Sequence, residues 1–283
     1  MKSTILFLSV VISLLIFNCT SDQRLISADQ PVYSIVGVEK NDSTFFCENI
    51  SDHYSDNIIF SNCNEIVYEY NYVKEKKESF FKILGFYEWE FVPSDSIENG
   101  VGIKRIKLSS LNPNPNPRYN FPPQSSITYN YFDINNKSVF ESNTGVVENY
   151  KNIILHGPRQ GFFKNLFPSP WPSIVYPLEV GKKWTWQWPY NGGTYGDVRF
   201  TRWEEIVKMD FEYHVIGKEI IKFPFGDVEC YKILAKGVGG GMTNTIEYFF
   251  NPKMGFLKFI YHTNDGAQVN LYAVEYNNKC LDN

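Results

Sequence analysis

Histidine is scarce in this chain of 283 residues: four occur, at positions 53, 156, 214 and 262. Spread so widely, they form no sequence-local metal site. No Cys-x-x-Cys occurs, so neither dithiol redox catalysis nor a zinc ribbon has support. A Gly-x-Ser-x-Gly elbow, a Gly-x-x-x-x-Gly-Lys-Ser/Thr loop and His-Glu-x-x-His are also absent. Glu204 and Glu205 are neighbours on an expected strand, so their carboxylates point to opposite faces and make no acid–base pair. Gly239-Gly240-Gly241 precedes no helix and cannot cradle phosphate. With 27 basic and 31 acidic residues the net charge is -4 and thinly spread, which leaves no footprint for nucleic acid. The longest apolar run, Ile5 to Phe17, has 13 residues, too short to span a bilayer comfortably. No cofactor is expected.

Aromatic residues are plentiful at 17%, led by Phe and Tyr, and favour strands over helices. Lys2 followed by the Ile5–Phe17 run has the form of an export signal over residues 1–18. Its end, Ile16-Phe17-Asn18-Cys19, resembles the lipobox of bacterial lipoproteins, in which the Cys becomes the first mature residue and carries the lipid. Asn18 departs from that pattern, where a small residue usually precedes the Cys. A plain secretory signal is the alternative. Thr20 is not the Asp that would favour inner-membrane retention, so by analogy the outer membrane is expected. Residues 19–30 are polar and read as a tether. With Cys19 lipidated, Cys47, Cys63, Cys230 and Cys280 remain, an even number in an oxidising compartment. The favoured pairing joins Cys47 to Cys63, worth about 3 kcal/mol in the chain-entropy model, and Cys230 to Cys280. Four buried free thiols is the alternative.

Residues 31–283 read as β-rich, either as one domain or as two halves, 31–110 and 124–283, joined by a loop rich in Pro and Asn. The organising stretch is Phe256 to Tyr276, where Asp265-Gly266 separates two apolar runs. A two-residue turn there predicts Phe259 opposite Tyr272 and Tyr261 opposite Asn270, with both hairpin faces largely apolar. Tyr68, Tyr70 and Tyr72 alternate onto one face of another strand, and Trp184, Trp186 and Trp188 onto one face of a third. Short strands joined by Gly and Pro turns predict an all-β fold: a curved antiparallel sheet, either a partial barrel or a sandwich.

His156 to Val180 is the exceptional segment. Five prolines exclude regular structure from much of it, yet it is rich in Phe, Trp and Leu. An apolar irregular segment must cover something, so it reads as a lid or plug over the end of a β core. The functional alternative is the mouth of a binding site: Arg159 as an anion contact, and Phe162, Phe163, Trp171, Trp184 and Trp186 as apolar lining. Phe162, Phe163, Leu166 and Phe167 are spaced for a short helix. His156 borders the segment and is the seventh candidate for that ligand site; a lone His is more often a hydrogen-bonded structural residue than a catalyst.

Two blocks carry a resemblance. One runs from Ile154-Leu155-His156-Gly157-Pro158-Arg159 through Phe167-Pro168 and Tyr176-Pro177-Leu178 to Gly181-Lys182-Lys183-Trp184. The other is Phe225-Gly226-Asp227-Val228-Glu229-Cys230-Tyr231 with Glu247-Tyr248-Phe249-Phe250-Asn251-Pro252-Lys253-Met254-Gly255-Phe256. Together they resemble uncharacterised lipoproteins of Gram-negative bacteria and β-rich envelope domains of unknown function. The resemblance covers about the last 130 residues and transfers no catalytic residue. It implies a curved half-barrel of the kind that lipoprotein carriers use to hold lipid. Three functions follow. The first is a lipid-anchored protein that binds an apolar or amphipathic ligand, or a partner protein, without catalysis; a cavity of a few hundred Å³ is its requirement. The second is a structural or assembly lipoprotein with no small ligand. The third is a hydrolase, which needs His156 within about 3 Å of a carboxylate or hydroxyl.

Overall fold

In the computed structural model of the chain, residues 37–40, 43–46, 59–60, 64–85, 88–95, 102–110, 125–148, 152–190, 203 and 205–278 are described. The strands are β1 (Gly37–Lys40), β2 (Ser43–Phe46), β3 (Asn64–Lys74), β4 (Lys77–Ile83), β5 (Trp89–Pro93), β6 (Arg105–Ser110), β7 (Ser125–Phe132) and β8 (Ser138–Glu148). They continue as β9 (Asn152–Leu155), β10 (Ser173–Val175), β11 (Lys183–Tyr190), β12 (Val207–Phe223), β13 (Gly226–Gly239), β14 (Met242–Asn251), β15 (Gly255–His262) and β16 (Gln268–Asn278). β1 and β2 pair with each other. The other fourteen form one antiparallel sheet that curls into a nearly closed barrel. Its order is β10-β9-β8-β7-β6-β3-β16-β15-β14-β13-β12-β11, with β4 branching from β3 and β5 from β4. Because β3 pairs with β16, strands from both sequence halves share this sheet.

Alternation along each strand sends one set of side chains inward. Tracing the register gives a continuous inner row: Trp184, Tyr213, Ala235, Ile246, Tyr261, Val269 and Tyr72. All seven are buried. The next row holds Val215, Ile233, Tyr248, Phe259, Leu271 and Tyr70. Burying each of the Val, Ile, Leu and Phe side chains among them contributes on the order of 1.5–3 kcal/mol. Gly237 makes room within this wall, since a Cβ there would stand 2.8 Å from the Phe211 ring.

The β15–β16 hairpin forms where expected but in another register. Gly266 N–H donates to the Thr263 carbonyl at 3.0 Å, and Thr263 N–H donates to the Ala267 carbonyl at 3.0 Å. The loop therefore has three residues, Asn264-Asp265-Gly266, with Gly266 alone at positive φ (79°). Asp265 stays out of the left-handed region. Its carboxylate is held by the Thr263 hydroxyl at 2.6 Å and by Lys74 Nζ at 2.9 Å. One added loop residue moves every partner: Phe259 faces Leu271, not Tyr272, and Tyr261 faces Val269, not Asn270. The two faces are consequently unlike. Phe259, Tyr261, Val269, Leu271 and Ala273 fill the core, while Lys258, His262, Gln268, Asn270 and Tyr272 lie on the outer side. The two-residue turn occurs instead at Glu75-Lys76, both at positive φ, between Lys74 and Lys77.

The long β12–β13 hairpin outruns its neighbour β14, whose pairing with β13 ends at Tyr231. Beyond a bulge between Val215 and Gly217 its tip folds back onto the outside of β16. There Phe223 stacks on Tyr272 at 4.9 Å, and the Tyr272 hydroxyl donates to the Lys222 carbonyl. Cys230 lies on this arm, opposite Glu219, and its thiol is free and fully buried. The expected Cys230–Cys280 disulfide is thereby corrected: the Cys230 thiol is free, faces the core and is used as a small core residue. Cys47, Cys63 and Cys280 lie outside the described residues, as do Cys19, the leader and the tether.

Candidate functional site

The exceptional segment enters the barrel and fills it. After β9 the chain runs through Gly157 and Pro158 into a 3-10 helix, Gly161–Leu166, then through Ser169-Pro170-Trp171-Pro172 into β10. The helix expected from the Phe162–Phe167 spacing is present. Most of residues 157–175 are buried, with Phe162, Phe163 and Ile174 each at most 2% exposed.

A buried irregular backbone needs hydrogen-bond partners from somewhere. Here inward-facing tyrosines supply them. Tyr129 donates to the His156 carbonyl at 2.8 Å, Tyr190 to the Phe167 carbonyl at 2.8 Å, and Tyr213 to the Trp171 carbonyl at 3.0 Å. The Tyr131 hydroxyl accepts from Gln160 N–H at 3.2 Å. The Tyr248 hydroxyl donates to the Ser173 carbonyl at 2.5 Å and accepts from Ser173 N–H at 3.3 Å. Five tyrosines on four strands thus substitute for the ladder that the prolines exclude. Burial holds four of these hydroxyls un-ionised: Tyr131 is pushed up to about 12, and Tyr129, Tyr213 and Tyr248 rise well above the ordinary tyrosine range.

The seven ligand-site candidates separate into three groups. Phe162 and Phe163 pack under the β4–β5 hairpin, with Phe162 against Tyr72 (4.9 Å), Phe91 (5.4 Å) and Trp89 (5.6 Å). Phe163 meets Tyr70 at 5.1 Å and Phe81 at 5.4 Å. Gly161, at φ 57°, lets Phe81 approach so closely that a Cβ would lie 2.3 Å from its ring. His156, Arg159, Trp171 and Trp186 form the second group. Arg159 Nη2 lies 2.7 Å from His156 Nδ1, and its guanidinium sits 5.1 Å over the Phe167 ring. Trp171 meets His156 edge-on at 4.4 Å, Trp188 at 5.2 Å and Trp186 at 5.7 Å. Trp184 stands apart, stacked flat on Tyr213 at 5.1 Å.

Burial first, then the adjacent Arg159 charge, lowers the His156 pKa to about 3, so the ring is neutral at ordinary pH. Its polar side-chain neighbours are Arg159 and, at 3.4 Å, the Thr144 hydroxyl. Neither is a carboxylate, and Thr144 stands beyond the reach that the hydrolase reading requires. Two small voids adjoin this group. One, of about 20 Å³, is lined by His156, Arg159, Phe167, Trp171 and Tyr261 among others. The other, of about 10 Å³, lies between Tyr68, Tyr129, Gly157 and Tyr261. Ligand pockets run to roughly 300–1,000 Å³, so neither admits a lipid. Among the described residues no three His, Cys, Asp or Glu side chains converge as metal ligands.

Sequence reasoning missed the tyrosine anchors. It also missed Glu148, whose buried carboxylate accepts from Ile59 N–H at 2.9 Å and Phe60 N–H at 2.8 Å. A signal for the first existed: 19 tyrosines, many at alternating positions, in a chain with an apolar Pro-rich segment that needs donors.

No protein-family model matches the chain, and no curated protein does. Among solved structures it is similar to a candidate lipoprotein from Parabacteroides distasonis, with a TM-score of 0.42 and 10% identity over 77% of this chain and 97% of that one. A candidate exported protein with a YmcC-like fold from Bacteroides fragilis gives 0.37 and 10% identity, covering 77% and 98%. The hypothetical lipoprotein YmcC from Escherichia coli gives 0.30 and 9% identity, covering 80% and 92%. The similarity is loose, and the architecture above stands on this chain's own strand pairing.

Proposed function

We propose that this chain is a non-catalytic, lipid-anchored protein of the bacterial envelope that acts through its outer surface, as a structural or assembly module. The carrying observation is the filled interior: the place where a half-barrel carrier would hold lipid is occupied by residues 156–175 of the chain itself. The indoles of Trp171, Trp184 and Trp186, candidates for a ligand lining, are engaged with one another and with barrel-wall residues. The export signal, the lipobox-like Cys19 and the polar tether support anchoring, and Thr20 supports the outer membrane. Aliphatic side chains do reach solvent on the outer side of β12 and β13, where Ile216, Ile220, Leu234 and Val238 are 37–70% exposed. A partner-facing surface is compatible with that distribution.

Native mass spectrometry with lipid extraction tests this reading. The chain from Ser21 onward, purified from an oxidising compartment, is expected at the mass of the polypeptide alone. A lipid or other apolar molecule held in fixed ratio, and lost when Trp184 or Trp186 is made charged, would restore the carrier reading.

A further inference from the structure

Two of the inward-facing tyrosines, Tyr72 and Tyr261, stand apart from the rest. Tyr68, Tyr70, Tyr129, Tyr131, Tyr190, Tyr213 and Tyr248 each exchange a hydrogen bond with a backbone group. The Tyr261 hydroxyl has no hydrogen-bond partner among the described residues, although the residue is 4% exposed. It sits beside Gly157, 3.6 Å from where a Cβ would stand there. Both Gly157 and Tyr261 line the two small voids. The unused hydroxyl therefore borders the space left between plug and wall.

That space has a polar side. His156 and Arg159 line the larger void. A guanidinium can only donate, so the 2.7 Å contact from Arg159 makes His156 Nδ1 the acceptor. The neutral ring then carries its proton on Nε2. A phenolic hydroxyl both donates and accepts. A buried water needs about 10–15 Å³ and two to four polar partners, and the larger void offers about 20 Å³. An apolar void of this size would stay dry, whereas a hydroxyl with no protein partner is satisfied by hydrating the space it borders.

We propose that the void between Tyr261 and the His156–Arg159 pair is a built hydration site holding an ordered water that bridges the Tyr261 hydroxyl to the plug. The site takes a small neutral hydrogen-bonding molecule and rejects apolar ones. Gly157 belongs to it, because a side chain there would occupy space beside the hydroxyl.

The test is a pair of high-resolution crystal structures of the full chain, one pressurised with xenon, repeated for Tyr261→Phe. The wild type is expected to show a water within hydrogen-bond distance of Tyr261 Oη and no xenon in the void. Tyr261→Phe is expected to lose that water and admit xenon. Xenon in the wild-type void would overturn the proposal, and so would a Tyr261→Phe structure that keeps the water. If the variant does not fold, the wild-type pair still decides: water without xenon supports the site, and a dry or xenon-filled void sinks it.

Discussion

At the residue scale, His156 and Cys230 show how burial changes a reactive side chain into a structural one. Below its ordinary pKa near 6.5, an unfolded His156 takes up a proton that the folded ring, with its pKa lowered to about 3, refuses. Its contribution to stability is complete above pH 6.5 and drains away as pH falls toward 3, by at most a few kcal/mol. Urea unfolding of wild type and His156→Gln between pH 7 and 4 checks this: the wild type should lose more stability over that range than the variant. Equal losses would show that other groups carry the acid dependence. For Cys230, burial and then the Glu229 carboxylate push the thiol up to about 12, which leaves it protonated and inert. Without reductant, an alkylating reagent should label Cys230 only after denaturation. Resistance to labelling in denaturant would mean that it is oxidised.

At the scale of elements, the strands were largely legible because alternation is local. Tyr68, Tyr70 and Tyr72 face inward as their spacing requires, and the Trp184–Trp188 alternation is a real strand face. Register was not legible. It depends on whether Asp265 adopts positive φ, and that is settled by Thr263 and by Lys74, which is 191 positions distant in sequence. Pairing of Cys230 was misread for a related reason: cysteine parity says nothing about which face of a strand a thiol occupies. The apolar character of residues 156–180 was evident, but whether it covers the barrel or enters it depends on partners spread over β7, β11, β12 and β14. Tyr248 is the most exacting of these, serving both backbone groups of Ser173. Tyr248→Phe should cost roughly 1–3 kcal/mol of stability, because it strands a buried donor and acceptor. A thermal or denaturant unfolding curve matching the wild type would remove the anchoring role assigned to that hydroxyl.

At the scale of the whole molecule, the barrel is a wall built around a segment of its own chain. The aromatic wall that suggests a lipid carrier is needed because the plug is bulky, apolar and proline-rich, and a dense interior of interlocking rings is how such a segment is held. The central claim is that residues 156–175 are core and not a lid. Hydrogen–deuterium exchange followed by peptide mass spectrometry addresses it directly, since amides buried in a filled core open only with the global fold. The amides of Leu155, Phe163 and Ser173, which donate to Pro172, Gln160 and Tyr248, should exchange as slowly as those of β14 and β15. Complete exchange of this segment within seconds, while β14 and β15 stay protected, would contradict the account and make the segment a lid over a binding cavity.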